Sequence, residues 1–372
     1  MSDEMKRPAG KDRAGKEKSE NEGSSRDAAR RDAIRGCLLG GAVGDAIGAP
    51  VEFMSEKEIR RQYGKNGVTG YVEFPDGTGA ITDDTQMTLF TAEGILRAHA
   101  DKIEKGHCAP VAVMRNAYRR WLKTQGGRVP ATTTEETLNS GWLIREKQLF
   151  AWRAPGNTCI CSLEIPAELE KAPNNSKGCG TVMRMAPSGL FFAPEEAYDY
   201  GCRFSALTHG HPTGITAGGA FAMLIAELLA GQTLEEALER VLGSLGGSPD
   251  AAETAAALRK ARKAESVSEL GEGWIAEESL AIGVFCALKH PRDFRSGVLE
   301  AVNIDGDSDS TGAIAGNILG VINGESAIPV EWLSSLRERE IVSQMAEDLR
   351  KRFEADENGR ATREWLEKYP GA

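Results

Sequence analysis

Two distant segments of this chain carry glycine at every fourth position of a helical pattern. The first series is Gly36, Gly40, Gly44 and Gly48, and the second is Gly312, Gly316 and Gly320. A glycine inside a helix costs about 0.5–1 kcal/mol relative to alanine, so both series need a compensating contact. Because a glycine face lets another backbone approach closely, both segments are predicted to be helices in a tightly packed core. The first segment is short and carries Asp45, which argues against a membrane helix.

Three aspartates stand on alternate positions at the start of the second glycine helix: Asp305, Asp307 and Asp309. One such residue is enough to cap a helix, so the cap does not account for all three. Carboxylates this crowded indicate a cation site. A calcium EF-hand does not fit, because the positions that would need glycine and glutamate hold Ser310 and Gly316.

A second acidic cluster, ITDDTQ, precedes another amphipathic helix and contains Thr82, Asp83 and Asp84. A helix N-terminus carries a partial positive charge that weakens cation binding, so a metal here would need several carboxylates acting together. Two clusters that meet in space would supply them. Oxygen ligands without histidine or cysteine favour Mg²⁺ or Mn²⁺ over zinc.

Three further features are candidate parts of a ligand site. Glu52 lies in a loop just after Pro50 ends the first glycine helix, where a surface glutamate is the alternative interpretation. The segment NNSKGCGTVMR places Gly178 and Gly180 where backbone N–H groups could bind phosphate, although the chain has no P-loop or dinucleotide fingerprint. His209, in THGHP, is predicted to contact a ligand or to cap backbone, because it has no nearby cysteine or acidic partner for zinc.

The composition narrows the class of protein. The chain has 45 basic and 55 acidic side chains and a net charge of −10, so it lacks the basic surface typical of nucleic-acid binding. Its seven cysteines include no CxxC pair, which favours a reducing cytoplasm over a disulfide framework. No signal peptide or long apolar run stands out, so no membrane association is expected.

The periodicity of the chain predicts its fold class and domain organisation. Helical patterns recur along the chain and strand-like alternation is nearly absent, so the predicted fold is all-α, with many packed helices. Residues 1–30 contain no Leu, Ile, Val or aromatic side chain and are predicted to be a disordered tail. Nothing in the rest looks like a linker, so residues 31–370 are predicted to form one domain, and the protein is expected to be a monomer.

Five motifs occur in the order GCLLGGAVGDAIGAPVE, TDDTQM, GCGTVMRMAP, LTHGHP and GDSDSTGAIAGNILG. Together, over roughly residues 34 to 325, the chain resembles the ADP-ribosylglycohydrolase family. The resemblance implies a compact, orthogonal all-helical bundle with a binuclear Mg²⁺ or Mn²⁺ centre. The implied metal ligands are Thr82, Asp83, Asp84, Asp307, Asp309 and Ser310. Asp305 does not match a ligand position.

The resemblance also implies an activity. Members of the family release ADP-ribose from protein side chains by attack of a water molecule at C1″ of the distal ribose. Asp83 or Asp84 would activate the water, and Glu52 would act as a gate or as a second acid or base. His209 would lie beside the substrate. The diphosphate would contact the glycine loop, which comprises Ser176, Lys177, Gly178, Cys179 and Gly180.

The identity of the substrate stays open at this point. The GDSDS form of the second acidic motif favours an arginine linkage, and a serine linkage is the runner-up. Lys177 and Cys179 depart from the aromatic residue and asparagine that often occupy these positions in the family. Two other functions stay open: a hydrolase of small ADP-ribose conjugates, and a non-catalytic binding or structural protein of the same fold.

Overall fold

The computed structural model describes residues 11–75 and 77–371, with side chains described from Ser25 onward. Within these ranges the chain is helical and has no β-strand, only two isolated bridges, which confirms the predicted all-α class. Short 3-10 turns link several of the α-helices.

The described α-helices are α1 (Lys11–Gly48), α2 (Glu56–Tyr63), α3 (Asp83–Lys105), α4 (Pro110–Thr124), α5 (Glu135–Leu138), α6 (Asn157–Leu163), α7 (Ala186–Phe191), α8 (Pro194–Ala206), α9 (Pro212–Leu229), α10 (Leu234–Leu245), α11 (Ala252–Ala261), α12 (Ala276–Lys289), α13 (Phe294–Val302), α14 (Ser308–Asn323), α15 (Val330–Ser335), α16 (Arg339–Lys351) and α17 (Arg363–Lys368).

The two glycine series face each other along the most extensive helix pair in the molecule, α1 against α14. A Cβ atom added at Gly40 would lie 2.4 Å from the carbonyl oxygen of Gly316, and one at Gly316 would lie 2.1 Å from that of Gly40. The same reciprocal contact joins Gly44 to Gly312. The sequence predicted a close backbone approach for each series, and the structure shows that each series is the partner of the other.

The remaining helices pack around this pair and build one continuous apolar core. Helices α12 and α13 lie against α14, α16 lies against α1, and α3 pairs with α4. Helix α9 pairs with α8 and is long and apolar enough to cross a membrane, yet 83% of it is buried inside the protein. Its burial identifies it as a core helix of this bundle. The packing brings the N-termini of α3 and α14 together at one end of α1, where the acidic motifs lie.

Part of the N-terminal segment is helical, and a disordered tail over residues 1–30 stays a prediction. Helix α1 begins at Lys11, so the part of residues 1–30 that the structure describes is helical, and residues 1–10 lie outside the described residues. Two contacts attach this segment to the bundle: an ion pair of 3.1 Å between Asp27 and Arg350, and a hydrogen bond of 3.5 Å from Arg30 to the carbonyl oxygen of Leu190. A single domain over residues 31–370 stays a prediction.

Candidate active site and metal centre

The two predicted acidic clusters meet at the N-termini of α3 and α14. Asp83 and Asp84 begin α3, while Asp307 caps α14 and Asp309 lies in its first turn. All four side chains are buried and line one cavity of about 340 Å³. Glu52 lines the same cavity from the loop that follows α1. The five carboxylates that line this cavity are therefore residues that the sequence analysis singled out, four from the acidic motifs and Glu52 through the family resemblance.

The residues present fit a hard divalent cation. One carboxylate oxygen from each of Glu52, Asp307 and Asp309 lies within 4.8 Å of the other two. Oδ2 of Asp84 is buried and, among the described residues, has no hydrogen-bond partner. Buried polar atoms are rarely left without a partner, so this oxygen is available to a ligand. A donor set made of oxygens suits Mg²⁺ or Mn²⁺.

Burial raises the pKa of every carboxyl group in this cluster, and the negative charges of neighbouring carboxylates raise it further for Glu52, Asp83, Asp84 and Asp307. The pKa of Glu52 rises to about 11, with Asp309 and Asp307 as the main neighbouring charges. Burial, and then the charge of Asp309, also places the pKa values of Asp83 and Asp84 well above their usual range. A bound cation would offset this repulsion and favour the ionised carboxylates.

The two hydroxyl residues implied as ligands lie at the same helix ends. Thr82 is the N-cap of α3, and its Oγ1 accepts a hydrogen bond from the backbone N–H of Asp84 at 3.3 Å. Ser310 lines the cavity, and its backbone N–H donates to Oδ1 of Asp309 at 2.9 Å. Thr82 is buried just outside the cavity wall. That Thr82 and Ser310 bind a metal ion stays a proposal.

Asp45 is a site residue that the sequence analysis did not assign. Its Oδ1 and Oδ2 accept from the backbone N–H of Thr82 at 3.0 and 3.1 Å, and Oδ2 also accepts from both the N–H and the hydroxyl of Thr85. Asp45 therefore satisfies the free N–H groups at the start of α3 and fixes that helix end to α1. Burial, with the charge of Asp309, raises its pKa to about 7. The signal in the sequence was an aspartate on a glycine face with no local partner.

The glycine loop contributes only part of what was expected. Gly178, Cys179 and Gly180 line the cavity, whereas Ser176 and Lys177 do not. The hydroxyl of Ser176 lies 3.1 Å from that of Thr158. The sequence predicted that Ser176 and Lys177 contact the substrate. Because neither residue lines the cavity, the structure does not favour that contact.

Lys177 points to the acidic side chains of α11 and α12. Its ammonium group pairs with Glu253 at 2.7 Å and with Glu277. The main chain of the loop is fixed at the same place, because the N–H of Cys179 donates to the carbonyl oxygen of Trp274 at 3.1 Å. That N–H is thus already bonded, which leaves fewer loop N–H groups for a diphosphate than the sequence predicted.

His209 lies inside the cavity wall and is held in place by a buried arginine. Its Nδ1 is 2.8 Å from the hydroxyl of Thr208, which accepts from Arg184 at 2.6 Å. Arg184 also donates to the carbonyl oxygen of Gly180, so it joins the glycine loop to the THGHP motif. Burial, and then the charge of Arg184, lowers the pKa of His209 to about 3, so the imidazole is neutral. His211 instead caps α9 through its Nδ1.

An aromatic pair that sequence reasoning missed covers one side of the cavity. Phe53 and Trp274 both line it and stack with ring centroids 5.1 Å apart. Phe53 is 69% exposed and has a backbone φ of 68°, a left-handed conformation that costs a non-glycine residue free energy. The pair comes from segments more than 200 residues apart, so no local pattern could indicate it.

Comparisons with known proteins agree with this geometry. A sequence model of the ADP-ribosylglycohydrolase family matches residues 26–359. The ADP-ribosyl-[dinitrogen reductase] glycohydrolase of Rhodospirillum rubrum is 27% identical over 320 residues, which cover 83% of this chain and 93% of that protein. The ADP-ribosylarginine hydrolase Tri1 of Pseudomonas putida is 25% identical over 323 residues, which cover 85% of this chain and 77% of that protein.

A solved structure shares this fold. It is described as an ADP-ribosylglycohydrolase-related protein complex, has a TM-score of 0.61 and 26% sequence identity, and covers 87% of this chain and 99% of its own. The family match spans nearly the whole chain and includes both acidic clusters. The chain belongs to the ADP-ribosylglycohydrolase family, whose members are hydrolases of ADP-ribosyl glycosidic bonds.

Proposed function

We propose that this protein releases ADP-ribose from modified arginine side chains of proteins, with two divalent cations, Mg²⁺ or Mn²⁺, as cofactors. The observation that carries the proposal is the cluster of five carboxylates in one cavity, four buried aspartates from the N-terminal ends of α3 and α14 and the partly buried Glu52 from the loop after α1. The arginine linkage is supported by the GDSDS form of the motif at Asp307 and by the similarity to the ADP-ribosylarginine hydrolase Tri1 of Pseudomonas putida.

The proposed metal ligands are the side chains at the two helix ends. They are Thr82, Asp83, Asp84, Asp307, Asp309 and Ser310. The close approach of Glu52 to Asp307 and Asp309 makes it a further candidate ligand. When bound, divalent cations supply Lewis-acid polarisation of a ribose oxygen and lower the pKa of a coordinated water.

The side chains of the cavity then carry the proton transfers. The carboxylate of Asp83 or Asp84 accepts a proton from the water that attacks C1″, while the bond from C1″ to the arginine nitrogen breaks. Glu52, which lines the cavity from the loop after α1, would act as a gate or as the second acid or base, donating a proton to the leaving guanidine group. His209 is neutral and holds its place on the wall through Thr208. Phe53 and Trp274 restrict access of bulk water.

The setting of this reaction is also a proposal. The net charge of −10 argues against nucleic acid as a partner, and the cysteine pattern favours the cytoplasm. We expect a monomer that acts on ADP-ribosylated proteins and does not bind membranes. ADP-ribose is the expected product.

Replacing Glu52 by glutamine is expected to lower kcat about 100-fold or more, because loss of a positioned acid or base has an effect of that size. The amide keeps the shape of the side chain, so the fold should persist. Glu58→Gln is the matched control, since Glu58 belongs to an exposed capping box in which glutamine also serves. The measurement is initial rate together with thermal unfolding. An unchanged kcat in Glu52→Gln would remove Glu52 from the chemistry.

The linkage is tested by incubating the purified protein with arginine-, serine- and nucleic-acid-linked ADP-ribose. The expected result is release of ADP-ribose from arginine in the presence of Mg²⁺ or Mn²⁺, and loss of that release on chelation. Hydrolysis of the serine-linked substrate alone would overturn the arginine assignment and leave the metal centre intact. Full activity after exhaustive chelation would overturn the metal proposal itself.

A further inference from the structure

A second cavity lies along the C-terminal half of α3, the helix whose N-terminus carries Asp83 and Asp84. Its volume is about 700 Å³, about twice the roughly 340 Å³ of the catalytic cavity. Helix α3 begins at the catalytic carboxylates, and its residues Ile95, Ala98 and His99 line the second cavity. At about 1.5 Å per residue, Ala98 lies roughly 22 Å along α3 from Asp83, so the two cavities are separate.

One wall of this second cavity is a series of aromatic rings. Phe191 contacts Phe192 edge-on at 5.1 Å between centroids, Phe192 stacks on Tyr200 at 4.4 Å, and Tyr200 stacks on Phe204 at 5.5 Å. All four rings line the cavity together with the aliphatic side chains of Ile95 and Leu229. Cavities with an apolar lining and a few convergent polar groups are typical small-molecule sites.

The charged groups of this cavity are mostly cationic. They are Arg30, Lys102 and Arg352, with Glu196 as the one carboxylate in the lining, and the imidazole of His99 lies among them. Arg30 donates to the carbonyl oxygen of Leu190 and Arg352 to that of Phe191. Among the described residues, neither guanidinium group forms an ion pair with a carboxylate, although most other arginines in the bundle do.

The cations oppose one another. Burial lowers the pKa of His99, and the charges of Arg352 and Lys102 lower it further. Burial likewise lowers the pKa of Arg352, with the charge of Arg30 as the next cause, while the charge of Glu196 acts in the opposite direction. Glu196 thus offsets part of the repulsion among three cations, and a bound anion would offset more of it.

Arg352 is held in a strained conformation at this place. It ends α16 with a φ of 63° and ψ of −36°, a left-handed backbone position that usually holds glycine. The strained backbone carries the guanidinium group to a point 4.6 Å from the centre of the Phe191 ring, at the boundary between the aromatic wall and the cationic groups. Glycine would be less strained here, which indicates that the side chain has a use.

We propose that this cavity binds an amphiphilic organic anion, with its anionic head at Arg30, Lys102 and Arg352 and its apolar body along the aromatic wall. The positive charge of the cavity disfavours a cationic ligand. A small inorganic anion would not cover the aromatic wall, which would stay exposed to water. Both ends of the ligand are therefore required for binding.

The test uses the full-length protein and the fluorescent aromatic sulfonate 8-anilinonaphthalene-1-sulfonate. One saturable site is expected, from which decyl phosphate displaces the probe, whereas inorganic phosphate, decyltrimethylammonium and ADP-ribose do not. Displacement by ADP-ribose would place the probe in the catalytic cavity and overturn the proposal. Equal displacement by the cationic amphiphile would show non-specific hydrophobic binding and would overturn it as well.

Substitutions of the cationic lining residues test where the anionic head group of the ligand binds. Arg352→Gly removes the guanidinium group and its contacts with Phe191, but it also relieves the backbone, so the variant should still fold while the Kd for decyl phosphate rises at least tenfold. Lys102→Gln, on the exposed face of α3, should raise Kd several-fold. Lys351→Gln is the matched control, because Lys351 lies on the same helix but pairs with Glu354 outside the cavity. Unchanged affinity in both Arg352→Gly and Lys102→Gln would overturn the proposal.

Discussion

Replacing Asp309 by asparagine is expected to reduce ADP-ribose release to background and, without metal, to raise the melting temperature of the protein. Five neighbouring carboxyl groups have raised pKa values, caused first by burial and then by the Asp309 charge; they are Asp45, Glu52, Asp83, Asp84 and Asp307. Removing that central charge lessens the repulsion in the metal-free fold. The amide oxygen can still accept the hydrogen bond from the N–H of Ser310.

A divalent metal ion should stabilise the wild-type protein more than the Asp309→Asn variant. A ligand that binds only the native state stabilises it by about 2.7 kcal/mol at a hundred times its Kd, so Mg²⁺ or Mn²⁺ should raise the melting temperature of the wild-type protein measurably. The shift should shrink in Asp309→Asn. Asp305→Asn is the control, because Asp305 is exposed and accepts from the backbone N–H of Glu56, away from the cavity. An Asp309→Asn protein with the full metal shift would contradict the metal centre.

The carboxylates could be predicted from sequence because their signal is local. Asp83 and Asp84 stand side by side, and Asp307 and Asp309 are two residues apart, each pair at a recognisable helix start. Crowded acidic side chains are costly without a cation, so their meeting could be inferred before any distance was known. Glu52 was found only through the resemblance, since a glutamate in a loop has no distinguishing pattern of its own.

Residues that act through distant partners could not be found in this way. Asp45 serves the first turn of α3, 37 residues downstream, and its hydrogen bonds to Thr82 exist only when α1 and α3 pack. Lys177 looked like a substrate contact because it stands in a glycine loop, but Glu253 and Glu277 hold its ammonium group elsewhere. Long-range pairing of this kind leaves no periodic trace in the sequence.

The glycine series illustrate the same limit for the fold. Spacing by four predicted that each series would meet a backbone, because only that contact compensates the helix cost of glycine. It did not indicate which backbone. The match of Gly36 with Gly320, Gly40 with Gly316 and Gly44 with Gly312 is a property of the antiparallel pairing of α1 and α14. This register also carries Asp45 to the start of α3 and near Asp309.

Replacing Gly316 by alanine is therefore expected to destabilise the protein by about 3 kcal/mol, the upper end of the usual cost of overpacking. The new Cβ would lie 2.1 Å from the carbonyl oxygen of Gly40 and 2.6 Å from its carbonyl carbon, and backbone atoms cannot rotate away as a side chain could. The helices must separate instead. The better helix propensity of alanine offsets at most about 1 kcal/mol of this destabilisation.

Gly243→Ala provides the matched control for this effect. Gly243 also lies in a helix, α10, but a Cβ there meets no atom within 4 Å, so alanine should stabilise the protein by up to about 1 kcal/mol. Urea unfolding of both variants gives the comparison, with the midpoint expected to fall for Gly316→Ala and to rise slightly for Gly243→Ala. Because α14 also carries Asp307 and Asp309, helix separation should lower hydrolysis and weaken the metal-induced stabilisation of Gly316→Ala. Equal midpoints for the two variants would contradict the close approach of α1 and α14.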